Sequence, residues 1–475
     1  MKHIIIALSL GAISSLSMAP HSFPPALFIG LSGLYILLTT KTSRKAASIA
    51  GFAFSFGYFM FSLSWIGNAL LIEDNPYWWV WPFAVAGLPL ILSLFTAITC
   101  YLYKCICAEQ RTALSFIVFI CLIFITEYAR GHLFTGFPWN LYGYTWISVM
   151  PIAQAASLYN IYLLTFLTIL WASIWGYLIV SKEHLYIRTL IALLTIATFA
   201  GSYLYGHNRI NTYKPTFHDD KIAVIVQPNI KQSEKWKREN RTKNFLKLIE
   251  LSKYKENHSN QSPNNAYYII WPETAISQDL INSPWVSSMI AKLLQNYPGN
   301  ATLITGALRY NDTLTEFQNS VILYNNEGEI TNTYDKSHLV PFGEYMPLED
   351  IINIAPIVGF SGFKEGNGPQ AISLTTGITA LPLICYEIIF PEEIPTTNID
   401  FFINVTNDAW YGDSAGPRQH LVQTQFRSIE TGIPILRSAN TGISAIINPL
   451  GYSTHSAVLN KDDVLQEKIP ISFAK

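Results

Sequence analysis

Up to about residue 205 the chain is almost continuously apolar and aromatic, a pattern no ordinary soluble domain shows. Segments long enough to cross the roughly 30 Å hydrocarbon core of a bilayer stand near 4–19, 25–40, 46–70, 79–103, 113–128, 152–180 and 188–205. Beyond residue 206 the chemistry changes to alternating strands, charged helices and Asn/Gly/Pro loops, although only 13% of the whole chain is charged. The pattern predicts a membrane domain over 1–205, a linker over 206–220 and a globular domain over 221–475. Net charge is −1 and no basic run stands out, so nucleic acid is not an expected partner.

The first apolar segment is short, and Ser17-Met18-Ala19 resembles a signal-peptidase site, so it reads either as a cleaved leader or as a retained helix. The second segment follows at once and would pair with it as a hairpin, which favours retention. Basic residues lie in alternate loops: Lys41, Arg44 and Lys45; Lys104 and Arg111; Lys182 and Arg188. The intervening loops hold Glu73 and Asp74, or Arg130 with Glu127 at its edge. The positive-inside rule makes the basic loops cytoplasmic, and seven crossings put everything after residue 205 outside.

Two outer loops are unusual. Asn75-Pro76-Tyr77-Trp78-Trp79-Val80-Trp81 is an aromatic cluster suited to the headgroup layer. The stretch from Arg130 to Asn140 is too broken by Gly and Pro to span, yet too apolar for a solvated loop. It is expected to dip to the membrane surface.

In the globular half, strands are expected over 221–227, 266–271, 302–308, 318–324, 329–334, 370–384, 400–406, 434–438 and 443–448, with helices over 237–255 and 417–431. Strands interleaved with a few helices indicate an α/β layered domain. Three of its stretches carry chemistry. Cys385 ends an apolar strand and passes into what reads as a helix start, where the helix dipole would favour the thiolate. The other cysteines, Cys100, Cys105, Cys107 and Cys121, all lie in the apolar half, so Cys385 is either an inert core thiol or one kept for chemistry. Ile270-Trp271-Pro272-Glu273 is a buried strand ending in a carboxylate, or else the start of a helix with Glu273 in its first turn. The third, Asp335-Lys336-Ser337-His338 through Gly343-Glu344, packs acids, base and imidazole into a Pro/Gly-bounded loop, which could equally be a solvated one. Thiol, carboxylate and ammonium together make a nucleophile, a base and a charge stabiliser; a Cys–His pair with His338 or His420 is the minor alternative.

These stretches together resemble the carbon–nitrogen hydrolase (nitrilase) superfamily and, within it, the apolipoprotein N-acyltransferase family. The resemblance rests on Val226-Gln227-Pro228-Asn229-Ile230-Lys231-Gln232 with Trp236, on Trp271-Pro272-Glu273, on residues 335–347, and on Asn407-Asp408-Ala409-Trp410 through Arg437-Ser438-Ala439-Asn440-Thr441-Gly442. Residues 130–144 look like that family's loop between membrane helices. Any one block would be weak; all in order behind seven apolar segments are highly specific. One departure is visible: the family usually adds a membrane helix after the outer domain, and no apolar span precedes Lys475.

The resemblance implies a polytopic α-helical membrane domain followed by a nitrilase-like α/β domain, a four-layer α-β-β-α sandwich. It implies Glu273 as general base, Lys336 as oxyanion stabiliser and Cys385 as nucleophile. Glu344 and Glu387 match further acidic positions, and Trp139, Gly136, Trp236, Asn319 and Tyr386 match positions linked to substrate handling or site structure. The implied reaction moves the sn-1 acyl chain of a glycerophospholipid, through a Cys thioester, to the amine of a diacylglyceryl-cysteine in an apolipoprotein. The implied setting is the bacterial inner membrane, with the catalytic domain on the periplasmic side. The apolar stretch 351–360 is a candidate lid, or a loop covering the core. No cofactor or metal is implied, since no His/Cys/carboxylate set has ligand spacing. Three rivals differ in class. A membrane-anchored amidase would use water in the second step, and an inactive scaffold would have lost part of the triad. A transporter would need an intramembrane charged pair, which the apolar segments do not show.

Overall fold

The computed structural model describes residues 1–40, 43–72, 75–255, 262–310, 316–345, 362–374 and 377–473. The candidate lid 351–360, Met346, Pro347 and the loop charges Lys41, Glu73 and Asp74 lie outside the described residues. The chain divides into two compact units. One comprises Met1–Leu71, Trp78–Tyr213 and Ser414–Glu430, and the other Ile72–Tyr77, Lys214–Asp413 and Thr431–Lys475.

In the first unit helices stand at all the expected apolar places: Lys2–Ser15, Pro24–Thr39, Arg44–Ser62, Trp81–Cys107, Ala113–His132, Ile161–Val180 and Leu185–Thr212. Among the described residues, four helices are long and apolar enough to cross a membrane, or five if Arg44–Ser62 and Ser64–Leu71, bent by 46°, count as one span. Lys2–Ser15 and Pro24–Thr39 are shorter apolar helices. The segment expected over 152–180 is a long helix only from Ile161, because Asn160 caps it through Oδ1, which accepts from Tyr162 N at 2.9 Å.

Among the described residues, the second unit carries two six-stranded sheets. Its strands are β1 (Phe217–Gln227), β2 (Ala266–Ile276), β3 (Asn300–Tyr310), β4 (Phe317–Tyr324), β5 (Ile330–Asp335), β6 (Ile372–Ser373), β7 (Thr379–Ile384), β8 (Phe401–Thr406), β9 (Ile435–Ala439), β10 (Ala445–Ile447), β11 (Ser453–Ser456) and β12 (Asp463–Pro470). The sheet orders are β12-β1-β2-β3-β4-β5 and β11-β10-β9-β8-β7-β6. In each sheet three strands are parallel, β1-β2-β3 in one and β7-β8-β9 in the other, and the flanking neighbours run antiparallel.

Strand alternation builds the layers. Ile222, Val224, Val226, Tyr267, Ile269 and Trp271 pack against helices Arg238–Leu251 and Pro284–Gln295. Ala223, Ile225, Tyr268 and Ile270 turn the other way, into a core shared with Ile384, Phe401, Ile403 and Leu436 of the second sheet. The described order is therefore helix, sheet, sheet. Helix Pro284–Gln295 and strands β11 and β12 have no counterpart in the sequence expectations. The two strands lie at sheet edges, carry polar and charged residues, and show no clean apolar alternation.

Candidate active site

The local structure at Glu273 begins with Gly306. Trp271 pairs with Thr305 and Ile276 with Ala307, so residues 272–275 bulge opposite the single residue Gly306. A Cβ on Gly306 would lie 2.5 Å from both Glu273 Cα and Pro272 O, so only glycine leaves room for the bulge. Pro272 has no N–H to lose from the ladder, which suits it to this place. Gly306→Ala is expected to cost about 1–3 kcal/mol by overpacking and to displace Glu273. A lowered unfolding temperature together with slowed Cys385 alkylation is the result that checks it.

The bulge presents Glu273 to a cluster of buried polar groups. Its Oε1 accepts from Asn319 Nδ2 at 2.8 Å and lies 3.9 Å from Lys336 Nζ. Its Oε2 accepts from the backbone N–H of Asn407 at 2.8 Å. Lys336 follows β5 directly; Nζ donates to Glu344 Oε1 at 2.9 Å and lies 2.8 Å from Glu344 Oε2. Asn319 Nδ2 also reaches Glu344 at 3.2 Å, and Asn319 O accepts from Lys336 N at 2.8 Å. Burial works against the Lys336 ammonium, yet the Glu344 and Glu273 carboxylates outweigh it, and its pKa stands above that of an ordinary lysine.

Cys385 follows β7 with φ +51°, opening a single 3₁₀ turn, Cys385–Ile389. The helix start expected there is thus one short turn, and the expected thiolate-favouring effect is overturned. Burial first, then the Glu273 carboxylate, push the thiol pKa well up, while Lys336 pulls it down by less. Behind it Thr406 hydrogen-bonds the Cys385 side chain and donates to Asp408 Oδ1 at 2.9 Å. Asp408 in turn is paired with the buried Arg437 at 2.7 Å.

Glu387 ties two elements together. Oε1 accepts from Tyr334 Oη (2.7 Å), Ser337 N (2.7 Å) and Ser337 Oγ (2.9 Å), and Oε2 accepts from Ile384 N at 2.7 Å. It fastens the loop after Lys336 to the turn at Cys385. Burial raises the Glu387 pKa against the pull of these donors. Tyr386 packs its ring on Phe390 and His338 at 5.0 and 5.6 Å, and Trp236 lies beneath the Lys235 ammonium at 5.5 Å. His338, the minor Cys–His alternative, meets Glu393 at 2.9 Å and stacks on Phe390. His420, the other, lies on helix Ala415–Thr431, grouped with the helical unit.

Gly136 and Trp139 belong to the helical unit. There Arg130 forms a buried two-pronged pair with Glu127 (2.9 and 2.8 Å) and donates to the carbonyls of Phe137, Trp139 and Asn140. Both residues lie inside helix Ala113–His132, so the expectation of no charged pair in the apolar segments is corrected. The pair's donors are used to shape the loop that follows. Gly136 turns that loop with φ +81°, and Trp139 Nε1 donates to Gln419 Oε1 at 2.9 Å.

Sequence reasoning missed Lys235, Thr406 and the main-chain role of Asn407. Lys235 neighbours the singled-out Trp236, and Thr406 and Asn407 border the Asn-Asp-Ala-Trp block, but only folding shows which atoms they present.

Residues 10–174 match the apolipoprotein N-acyltransferase N-terminal domain, and residues 221–474 match carbon-nitrogen hydrolase. Apolipoprotein N-acyltransferase of Rhodopseudomonas palustris is 34% identical over 489 residues, covering 100% of this chain and 90% of that protein. The Rickettsia prowazekii protein of the same name is 35% identical over 483 residues, covering 99% and 92%. A solved CN-hydrolase superfamily protein from Xanthomonas campestris is 19% identical and covers 53% of this chain and 90% of its own, at a TM-score of 0.37.

Proposed function

The chain belongs to the apolipoprotein N-acyltransferase family, and from that premise we propose that Glu273, Lys336 and Cys385 carry an acyl group from phospholipid to lipoprotein. It is an acyltransferase of lipoprotein biosynthesis. The observation that carries the assignment of roles is the buried cluster itself: a carboxylate and an ammonium 3.9 Å apart, both acting electrostatically on the Cys385 thiol.

Glu273 takes the Cys385 proton as the sulfur attacks the sn-1 ester carbonyl of a glycerophospholipid. Burial disfavours the thiolate, so proton transfer to Glu273 accompanies the attack. Lys336, fixed by Glu344, and a backbone N–H beside Cys385 stabilise the oxyanion. The C–O bond breaks, and Glu273 returns the proton to the departing lysophospholipid oxygen. A Cys385 thioester remains. The α-amine of a diacylglyceryl-cysteine attacks it, loses a proton to Glu273, and leaves as an amide while sulfur recovers the proton. This is ping-pong covalent catalysis, and a water-poor site keeps hydrolysis from competing.

The same reading sets the helical unit in the bacterial inner membrane with the catalytic unit on its periplasmic side. Its support is the bias of Arg44, Lys45, Lys104, Arg111, Lys182 and Arg188 to alternate connections and the helix ends beside them. The four-layer α-β-β-α sandwich belongs to this proposal too, supported by the helix, sheet, sheet order. Glu344, Glu387, Asn319, Tyr386 and Trp236 serve as positioning groups, while Trp139 and Gly136 shape the loop after Arg130.

Intact mass in phospholipid, before any acceptor is added, tests the reading. A gain of one acyl group, released by neutral hydroxylamine and absent in Cys385→Ala, is expected. A diacylglyceryl peptide with a free amine should then clear the adduct and become acylated. Release as free fatty acid instead would make the protein a hydrolase.

A further inference from the structure

Lys235 is a lysine only 7% exposed, at the end of the short helix Gln232–Lys235, and the mechanism above does not use it. Its Nζ donates to the main-chain carbonyl of Glu273 at 2.9 Å and to Thr274 Oγ1 at 2.6 Å. Both acceptors lie in the bulge opposite Gly306, where the β2–β3 register is interrupted. Thr274 has φ +49°, a left-handed conformation that a β-branched residue rarely adopts and that needs its surroundings to hold it. Lys235 thus grips the base-bearing residue and the strained residue next to it, from outside the strand.

We infer that Lys235 is a positioning residue: its ammonium clamps the left-handed bulge at Thr274 and so aims the Glu273 carboxylate into the cluster with Lys336 and Cys385. The inference rests on the reading of Glu273 as the base for Cys385. Burial pushes the Lys235 pKa down to about 8, with Glu273 and Cys385 pulling it back up, so a buried cation is kept here at a cost. Lys336 and the Asn407 N–H hold the carboxylate from other elements. Neither touches the bulge carbonyl that Lys235 holds.

The test uses the full-length protein in detergent with phospholipid, and two rates. Alkylation of Cys385 by iodoacetamide reports thiol activation alone; mass gain of the acyl-enzyme reports acyl transfer. Lys235→Met is expected to slow both by at least about tenfold, since small misplacement of a reacting group costs that much or more. The phospholipid concentration giving half-maximal acylation should stay unchanged. Thr274→Gly removes the need to hold a strained residue, so Lys235→Met/Thr274→Gly should react faster than Lys235→Met alone. A merely structural lysine would give additive losses instead.

Wild-type rates in Lys235→Met, or a double variant no faster than the single, would overturn the inference. If Lys235→Met does not fold, Lys235→Gln, a shorter donor, takes its place, and a wild-type rate there overturns the inference equally. Should the wild type form no acyl adduct while its alkylation still depends on Lys235, the acyl-transfer reading fails and the clamp stands.

Discussion

Glu273→Gln is expected to slow acyl-enzyme formation by about 10²–10⁴-fold at neutral pH, the usual worth of a positioned general base. The reason lies in the resting state of the nucleophile. Burial and the nearby carboxylate push the Cys385 thiol pKa up, which makes the sulfur depend on a base to take its proton. Gln keeps the shape, and its one side-chain oxygen can still accept from either Asn319 Nδ2 or Asn407 N, so one of the two hydrogen bonds survives and the fold should hold at a modest loss of stability. What is lost is the proton acceptor. The variant's alkylation by iodoacetamide should therefore climb as pH rises toward the thiol's own pKa, because only spontaneous ionisation remains. Mass-spectrometric rates across pH check both points. A variant that acylates at the wild-type rate at pH 7 would remove Glu273 from the base role.

The second large effect is on stability. Arg437 and Asp408 form an ion pair at 2.7 Å with both side chains fully buried, and Arg437 Nε also donates to Ile443 O at 3.2 Å. Removing one partner leaves a buried charge uncompensated, so Arg437→Met is expected to cost about 3–5 kcal/mol. Replacing both, as Arg437→Met/Asp408→Leu, should cost less than the single change, because no orphan charge remains. Thermal unfolding in detergent measures this, and a double variant less stable than the single would sink the ion-pair account. The Met variant should also slow alkylation. Asp408 accepts from Thr406, which contacts Cys385, and the neighbouring Asn407 N–H holds Glu273.

Much of this was open to reading before folding. The apolar segments mark the long helices of the first unit apart from Ala415–Thr431, and the continuous apolar runs in 221–227 and 266–271 mark strands with two buried faces. Of the expected triad, Lys336 and Cys385 stand just beyond strand ends, whereas Glu273, expected at one, stands in a bulge inside β2, which runs on to Ile276. The edge strands β11 and β12 escaped because edge strands tolerate polar residues on both faces. The thiol's state was misread for a different reason. A Cys before a short apolar stretch looks like a helix start, but its ionisation depends on how deeply it is buried and which charges face it.

What the sequence determined by itself is local: which segments are apolar enough to seek lipid or core, which strands alternate, and which reactive groups end them. Those properties are carried by side-chain chemistry and spacing along one chain. What the tertiary structure alone decided is convergence. Glu273 meets Lys336, Asn319 and the Asn407 N–H across gaps of 63, 46 and 134 residues, and Gly306 makes room for the bulge that lets it do so. Lys235 and Arg437 look like any other basic residues in the sequence. Their roles exist only after folding strips away water, because a charge acts strongly on its neighbours only where the solvent no longer screens it.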